Sequence, residues 1–322
     1  MSEQYIYQVA RIRALETQLF SDSTINQLLA CPDYESCLRF LGEKGWGQGG
    51  EDEPAEEMLE REEAKVTALM KELKVDPSCF EVLEMPKRFH NLKAAIKETV
   101  SGPVSGTVYY EDVTPSGTEV RAVAAAGEWE KLPEEMQACA KEAQENILHT
   151  SDGQVCDMII DRACLESILA AGKSSKNDLI RAYAETTVAI ADIKIAARSA
   201  KTGKSLDFMK RAIAPCGTLK TDELIRAASG GVSALYDYLK GTKYAGAADA
   251  LSESPSAFER WCDDQMTETL KPQKHNPFTV GPIIAYYLAR QNEIKTVRII
   301  LSGKLNGLSD GSIRERVREM YV

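Results

Sequence analysis

His90, Asn91 and Lys93 are the nearest approach to an acid–base group in this sequence. Neighbouring positions on a helix point about 100° apart. His90 and Asn91 therefore do not share a face, and His90 reads as a structural histidine. Asp157 and Asp161 are four apart and do share one, but a lone carboxylate pair beside Arg162 is ordinary for a solvated helix surface. Paired carboxylates alone do not make a glycosidase. The glycine-rich run at 45–50, GWGQGG, lacks the GxGxxG spacing, the preceding strand and the GK[ST] of a phosphate loop, and reads as a flexible connector. His149 falls where a helix is expected to end, and His275 lies in a Pro-rich stretch, 271–277, expected to be loop.

Eight cysteines (Cys31, Cys37, Cys79, Cys139, Cys156, Cys164, Cys216 and Cys262) occur with no CxxC pair and only three histidines. Structural zinc needs close ligand pairs, so the thiols are expected to be reduced core residues. The tyrosines Tyr236, Tyr238, Tyr244, Tyr286 and Tyr287 are not interleaved with a dense basic surface, which favours core packing over base stacking. No catalytic residue, cofactor-binding residue or metal ligand is assigned. A hydrolase using His90 or a cysteine is the weakest reading of the chain.

The elements that would position any site are helices. Across 5–20 apolar residues recur at Ile6, Val9, Ile12 and Leu19. Pro133 with Glu134 and Glu135 reads as a helix start, running to about Leu148. Ser256 with Glu259, and Ser312 with Glu315, have the spacing of capping boxes. The stretch 104–123 is expected to be mostly loop, with Pro115-Ser116-Gly117 as a turn. The fold class is all-α.

With 322 residues the chain is long enough for two or three compact units. No run approaches the roughly 18 apolar residues of a membrane span, and the first residues lack the pattern of a secretory signal. The expectation is a cytoplasmic protein. Its formal net charge of −10 disfavours nucleic acid and anionic lipid as partners. That charge is polarised: 51–63 holds eight acids against Arg61, whereas 281–322 holds seven basic residues against four acids. Such polarity suits protein partners.

An internal repeat is the most informative feature. An acidic or amide residue, then Leu or Ile, then Lys occurs as Asn91-Leu92-Lys93, Asp192-Ile193-Lys194 and Glu293-Ile294-Lys295, with successive lysines 101 residues apart. Each lysine is followed by a small apolar residue two positions on (Ala95, Ala196, Val297), then a basic one (Lys97, Arg198, Arg298) and a glycine (Gly102, Gly203, Gly303). A looser copy, Arg11-Ile12-Arg13, lies 80 residues before Lys93, so the first unit would be shorter. Leu38, Leu41 and Trp46 are echoed by Leu235, Leu239 and Tyr244. The expected units are 1–88, 89–189 and 190–322. Two readings of the lysines stand: a duplicated helix with one apolar and one basic face, or basic groups in register on a surface shared around a pseudo-symmetry axis.

The segments YIYQVARIRALETQLFS, RFHNLKAAIK, YAETTVAIADIKIAARSAKTGK and GPIIAYYLARQNEIKTVRIILSGKLNGLSDGSIRERVREMYV together make the chain similar to the C-subunit family of rotary V/A-type ATPases and ATP synthases, relatives of the d subunit of eukaryotic V-ATPases. The closing segment, with Glu293-Ile294-Lys295, Arg298, Gly303-Lys304 and an Arg-rich helix ending at Tyr321-Val322, carries most of the likeness. The resemblance implies a funnel of three related helical domains with pseudo-threefold symmetry and no nucleotide site. It also implies a place on the cytoplasmic face of the membrane proteolipid ring, with the membrane reached only through the ring, where the protein receives a central shaft made of the D and F subunits. No residue is assigned to either partner. The alternative reading is a helical-repeat scaffold for some other protein.

Overall fold

The computed structural model describes residues 5–47, 54–102, 108–150 and 152–322. Among them the regular structure is helical, with no strand. The helices are α1 (Ile6–Glu16), α2 (Asp22–Leu29), α3 (Tyr34–Glu43), α4 (Ala55–Glu72), α5 (Glu81–Ser101), α6 (Gly117–Ala126), α7 (Glu134–Thr150) and α8 (Gly153–Ser174). They continue as α9 (Asp178–Thr202), α10 (Leu206–Ala212), α11 (Thr221–Ser229), α12 (Val232–Lys240), α13 (Gly246–Glu253), α14 (Pro255–Leu270), α15 (Gly281–Leu305) and α16 (Asp310–Arg314). The chain divides into two compact units. One comprises Met1–Cys79, Asn177–Leu179 and Ala245–Val322, the other Phe80–Lys176 and Ile180–Tyr244.

In the first unit α15 is the central element. Helices α1, α2, α3, α4, α14 and α16 all pack on it. Its Ile294, Val297, Ile300 and Leu301 join Ile25, Leu28 and Leu29 of α2 and Leu41 of α3 in one apolar core. A helix apolar nearly all round is one enclosed by others. In the second unit α5 takes that place, packed by α6, α7 and α8. Leu92 and Ile96 of α5, Met136 and Ala140 of α7 and Ile160 of α8 are buried there.

Several helix ends depart from the sequence reading. The cap of α14 is Ser254, which accepts the Ala257 N–H at 2.9 Å, not Ser256. Pro255 lacks an N–H and has the φ of a first helical residue, so the cap must precede it. Ser309, not Ser312, caps α16. The expected turn at Pro115-Ser116-Gly117 is a helix start, because Ser116 and Glu119 form a complete capping box. Loop therefore describes only 108–116 of the stretch 104–123, and 104–107 lie outside the described residues. The expected closing helix is one short helix, after which 317–322 run without regular structure. Their backbone is held by side chains: the Glu319 N–H donates to Asp264 and the Met320 N–H to Asp22.

All eight thiols are free. Five are buried, while Cys31, Cys79 and Cys216 are half-buried. Tyr244 and Tyr286 lie in the core; Tyr236, Tyr238 and Tyr287 are half-buried. In the glycine run at 45–50, Gly45 and Gly47 have positive φ on either side of a buried Trp46, and 48–50 lie outside the described residues. His275 ends a 3-10 turn, Lys271–His275, rather than lying in open loop.

Candidate functional site: a latch repeated on three long helices

The repeat falls on α5, α9 and α15. Its middle residues are fully enclosed, with Leu92 and Ile193 at 0% exposure and Ile294 at 1%. So are the small residues that follow, Ala95, Ala196 and Val297. The first residue of each triplet is buried too, although it is polar: Asn91 0%, Asp192 1% and Glu293 2% exposed. Two positions further on, about 200° around the helix, the lysines lie off the core face, Lys93 and Lys194 half-buried and Lys295 exposed.

Burying a polar group without partners costs roughly 1–3 kcal/mol, and the three groups resolve that cost alike. Asn91 Oδ1 accepts the Tyr110 N–H at 2.8 Å, while its Nδ2 donates to the Tyr110 carbonyl at 2.8 Å. Asp192 Oδ1 accepts the Ala214 N–H at 3.0 Å. Glu293 Oε2 accepts the Phe20 N–H at 2.8 Å. Each acceptor thus holds the backbone of a connector that leads into a short helix: α6, α11 and α2 respectively. In the third case the held connector lies near the chain's start, so α15 and α2 are joined through opposite ends of the sequence.

The two carboxyl latches have distinct surroundings. Burial pushes the Asp192 carboxyl up to about 8, opposed by the Ala214 N–H and the Arg162 guanidinium. Burial also pushes Glu293 up to about 7, opposed first by Arg290. Arg290 bonds both Glu293 and, at 2.7 Å, Glu62 of α4, a carboxylate that is itself 3% exposed. The same guanidinium lies 5.2 Å from the Trp46 ring, which stacks on Phe20 at 5.3 Å. Trp46, read from the sequence only as an echo of Tyr244, is therefore tied to the latch. Tyr244 in turn bonds Thr218 Oγ1 at 2.9 Å, and the Thr218 N–H donates to Glu185 at 2.6 Å.

The lysines of the repeat are engaged as well. Lys93 pairs with Asp161 of α8 at 2.7 Å and Lys295 with Asp263 of α14 at 2.6 Å. Asp161 and Asp157, read as a solvated surface beside Arg162, instead receive Lys93 and Lys97 of α5; Arg162 turns to Glu166 and to the Lys210 carbonyl. In the looser copy Ile12 is buried and Arg13 donates to the carbonyls of Gln273 and Asn276. The glycines are not equivalent. Gly102 and Gly203 adopt positive φ, but Gly303 sits inside α15, where a Cβ would come within 2.6 Å of Ile313.

His90 bonds the Val108 carbonyl at 3.0 Å and meets the edge of Tyr110. It supports the connector that Asn91 holds. His149 lies in the last turn of α7. Among the described residues no cluster of three or more His, Cys, Asp or Glu side chains is placed to hold a metal, and no helix is long and apolar enough to cross a membrane.

The arrangement is one of enclosed helices, each holding a connector through a buried polar side chain, and it repeats. The family model of the ATP synthase (C/AC39) subunit matches residues 8–316. The chain belongs to that family. It is 23% identical over 317 residues to the C subunit of the V-type sodium ATPase of Enterococcus hirae, covering 96% of this chain and 97% of that one. It is 25% identical over 342 residues to the C subunit of the A-type ATP synthase of Methanocaldococcus jannaschii, covering 96% and 85%. The corresponding C subunit of the A-type ATP synthase of Methanothermobacter thermautotrophicus is 24% identical over 342 residues, covering 97% and 87%. The protein is a structural, non-catalytic component of a rotary V/A-type ATPase.

The sequence reading placed its weight on the lysines of the repeat and missed the residue before the apolar position as the one turned inward. A signal was present. Asn91, Asp192 and Glu293 each interrupt an otherwise apolar stripe, and a polar residue at a core position needs a partner.

Proposed function

We propose that this protein couples the central shaft of a rotary V/A-type ATPase to its membrane proteolipid ring. In this reading it rests on the cytoplasmic face of the ring, receives the end of a D–F shaft and passes rotation between the ATP-driven and ion-driven motors. The observation that carries the proposal is the end-to-end family match over 8–316, with relatives aligned along 85–97% of their own lengths. The relatives' names include both a sodium ATPase and ATP synthases, so the reading covers pumping and synthesis.

The proposed body is a pseudo-threefold funnel of related units at 1–88, 89–189 and 190–322. The three buried latches support common descent of the repeated segments. Moving one charge against 100 mV is worth about 2.3 kcal/mol, so several ions per ATP load the coupler with on the order of 10 kcal/mol per step. Enclosed helices whose buried latch groups are internally bonded suit that load.

Co-purification tests the reading. A tagged full-length chain expressed in its own cell is expected to bring down the proteolipid ring and the D and F subunits under gentle solubilisation. Recovery of an unrelated protein, with neither ring nor shaft, would overturn the proposal in favour of a general helical scaffold.

A further inference from the structure

In the second unit, α5, α8, α9 and α10 wall a cavity of about 530 Å³. Its wall is apolar at Phe89 on α5, Leu165 and Ile168 on α8, Ile195 on α9 and Phe208 on α10, with the charged side chains of Lys93, Asp157, Asp161 and Lys194 also lining it. Burial pushes the Cys164 thiol, on the same wall, up to about 12, so it faces the cavity uncharged. Lys93 pairs with Asp161 and Lys97 with Asp157, so α5 and α8 run antiparallel and the cavity has two chemically different ends. Phe89, Leu165 and Ile168 lie towards one end. Arg198 and Lys204, together with Gln154, lie towards the other.

The charge at that second end is not balanced from within. The carboxylates in the wall, Asp157 and Asp161, already hold lysines of α5. Lys204 bonds only the neutral Gln154 Oε1, at 2.9 Å, and lies over the Phe208 ring. Arg198 has no ion pair among the described residues. A second polar group is also left over: Thr187 Oγ1 is buried in the wall without a hydrogen-bond partner. Positions 187, 191, 194, 195 and 198 share one face of α9 and span about 16 Å along it. A partly apolar cavity with unbalanced positive charge at one end, at Arg198 and Lys204, and an unpartnered hydroxyl, Thr187, about 16 Å away along α9 has the form of a site for a long ligand with one charged head.

We propose that this cavity binds an elongated amphipathic anion, an unbranched apolar chain bearing one carboxylate or phosphate head. The chain lies among Phe89, Leu165, Ile168 and Ile195, and the head meets Arg198 and Lys204. The apolar wall excludes a bare inorganic anion, and the surplus positive charge selects against a neutral chain. The proposal rests on the cavity and not on the coupling role.

Titration calorimetry of the purified full-length chain at pH 7.5 tests the site, with decanoate below its micellar concentration, 1-decanol and inorganic phosphate as separate ligands. Decanoate is expected to saturate a single site, decanol to bind at least tenfold more weakly, and phosphate not to bind. Arg198→Gln removes a charge-assisted bond and should weaken decanoate about tenfold. Asp161→Asn frees Lys93 and should tighten it several-fold. Leu165→Trp fills the chain end and should abolish binding, with circular dichroism checking that the variant is folded. Arg198 and Asp161 are exposed, so those variants report even if Leu165→Trp misfolds. No saturable decanoate binding, equal affinity for decanol, saturation by phosphate alone, or indifference to Arg198→Gln would each overturn the proposal.

Discussion

A buried carboxylate that accepts a single backbone N–H remains costly to ionise, and Asp192 is in that position. Arg162 helps its ionised form, whereas Glu185 and burial oppose it, and Cys216 of the held connector also faces it. Burial wins, which places the folded group near 8 against an ordinary 3.8. The native chain therefore holds this proton more tightly than the unfolded chain. Its contribution to stability is full below the ordinary carboxylate range and is lost as pH rises towards 8. Asn91 performs the same latch with an amide, which has no charge to desolvate. Asp192→Asn is accordingly expected to keep the Ala214 bond and flatten the pH profile, exceeding the parent at pH 9 by several kcal/mol. Urea unfolding from pH 5 to 9 measures this. A variant less stable than the parent at pH 9 would show that the charge, not the acceptor, is what the connector needs.

Between elements, α4 and α15 are joined by two carboxylates on one guanidinium, Glu62 and Glu293 on Arg290. Breaking a buried ionic group by removing one member leaves uncompensated charge and typically costs about 3–5 kcal/mol, whereas replacing the whole group with apolar residues is often neutral. Arg290→Met should therefore destabilise the chain by about 3–5 kcal/mol. The triple change Glu62→Leu, Arg290→Met, Glu293→Gln, which keeps an acceptor for the Phe20 N–H, should recover most of that loss. Thermal unfolding of both variants decides it: a triple variant as unstable as the single one would mean that the ion group itself holds α4 on α15. The helices were legible because the apolar spacing of α1 and the proline and acids that open α7 are local information. Their ends were less so. Ser254 was missed as a cap because Ser256 has the same composition cue, and only the fixed φ of Pro255 separates them. The close approach of Gly303 to Ile313 has no local signal, because the residue that needs the space is ten positions away.

At the scale of the molecule, the two compact units contain separate central helices, α15 and α5, each enclosed by its own neighbours. Calorimetry of the isolated chain is expected to resolve two transitions, since cooperativity follows shared cores. Arg290→Met should move only the transition of the unit built on α15, and Asp192→Asn only the other. A single transition displaced as a whole by either variant would show instead that the units unfold as one. The formal charge of −10, with its basic final segment, is a property of the whole sequence and argues for protein partners at any scale.

The sequence by itself determined the helical class, the family and the 101-residue repeat, because each rests on residue types and spacings along one chain. It also showed which residues are repeated, without showing which way they face. Tertiary structure alone decided that Asn91, Asp192 and Glu293 turn inward, that each holds a backbone N–H, and that the third holds one at Phe20. The reason is physical: a polar side chain is tolerated in a core only where a distant segment supplies its partner, and no local pattern records where that segment comes from.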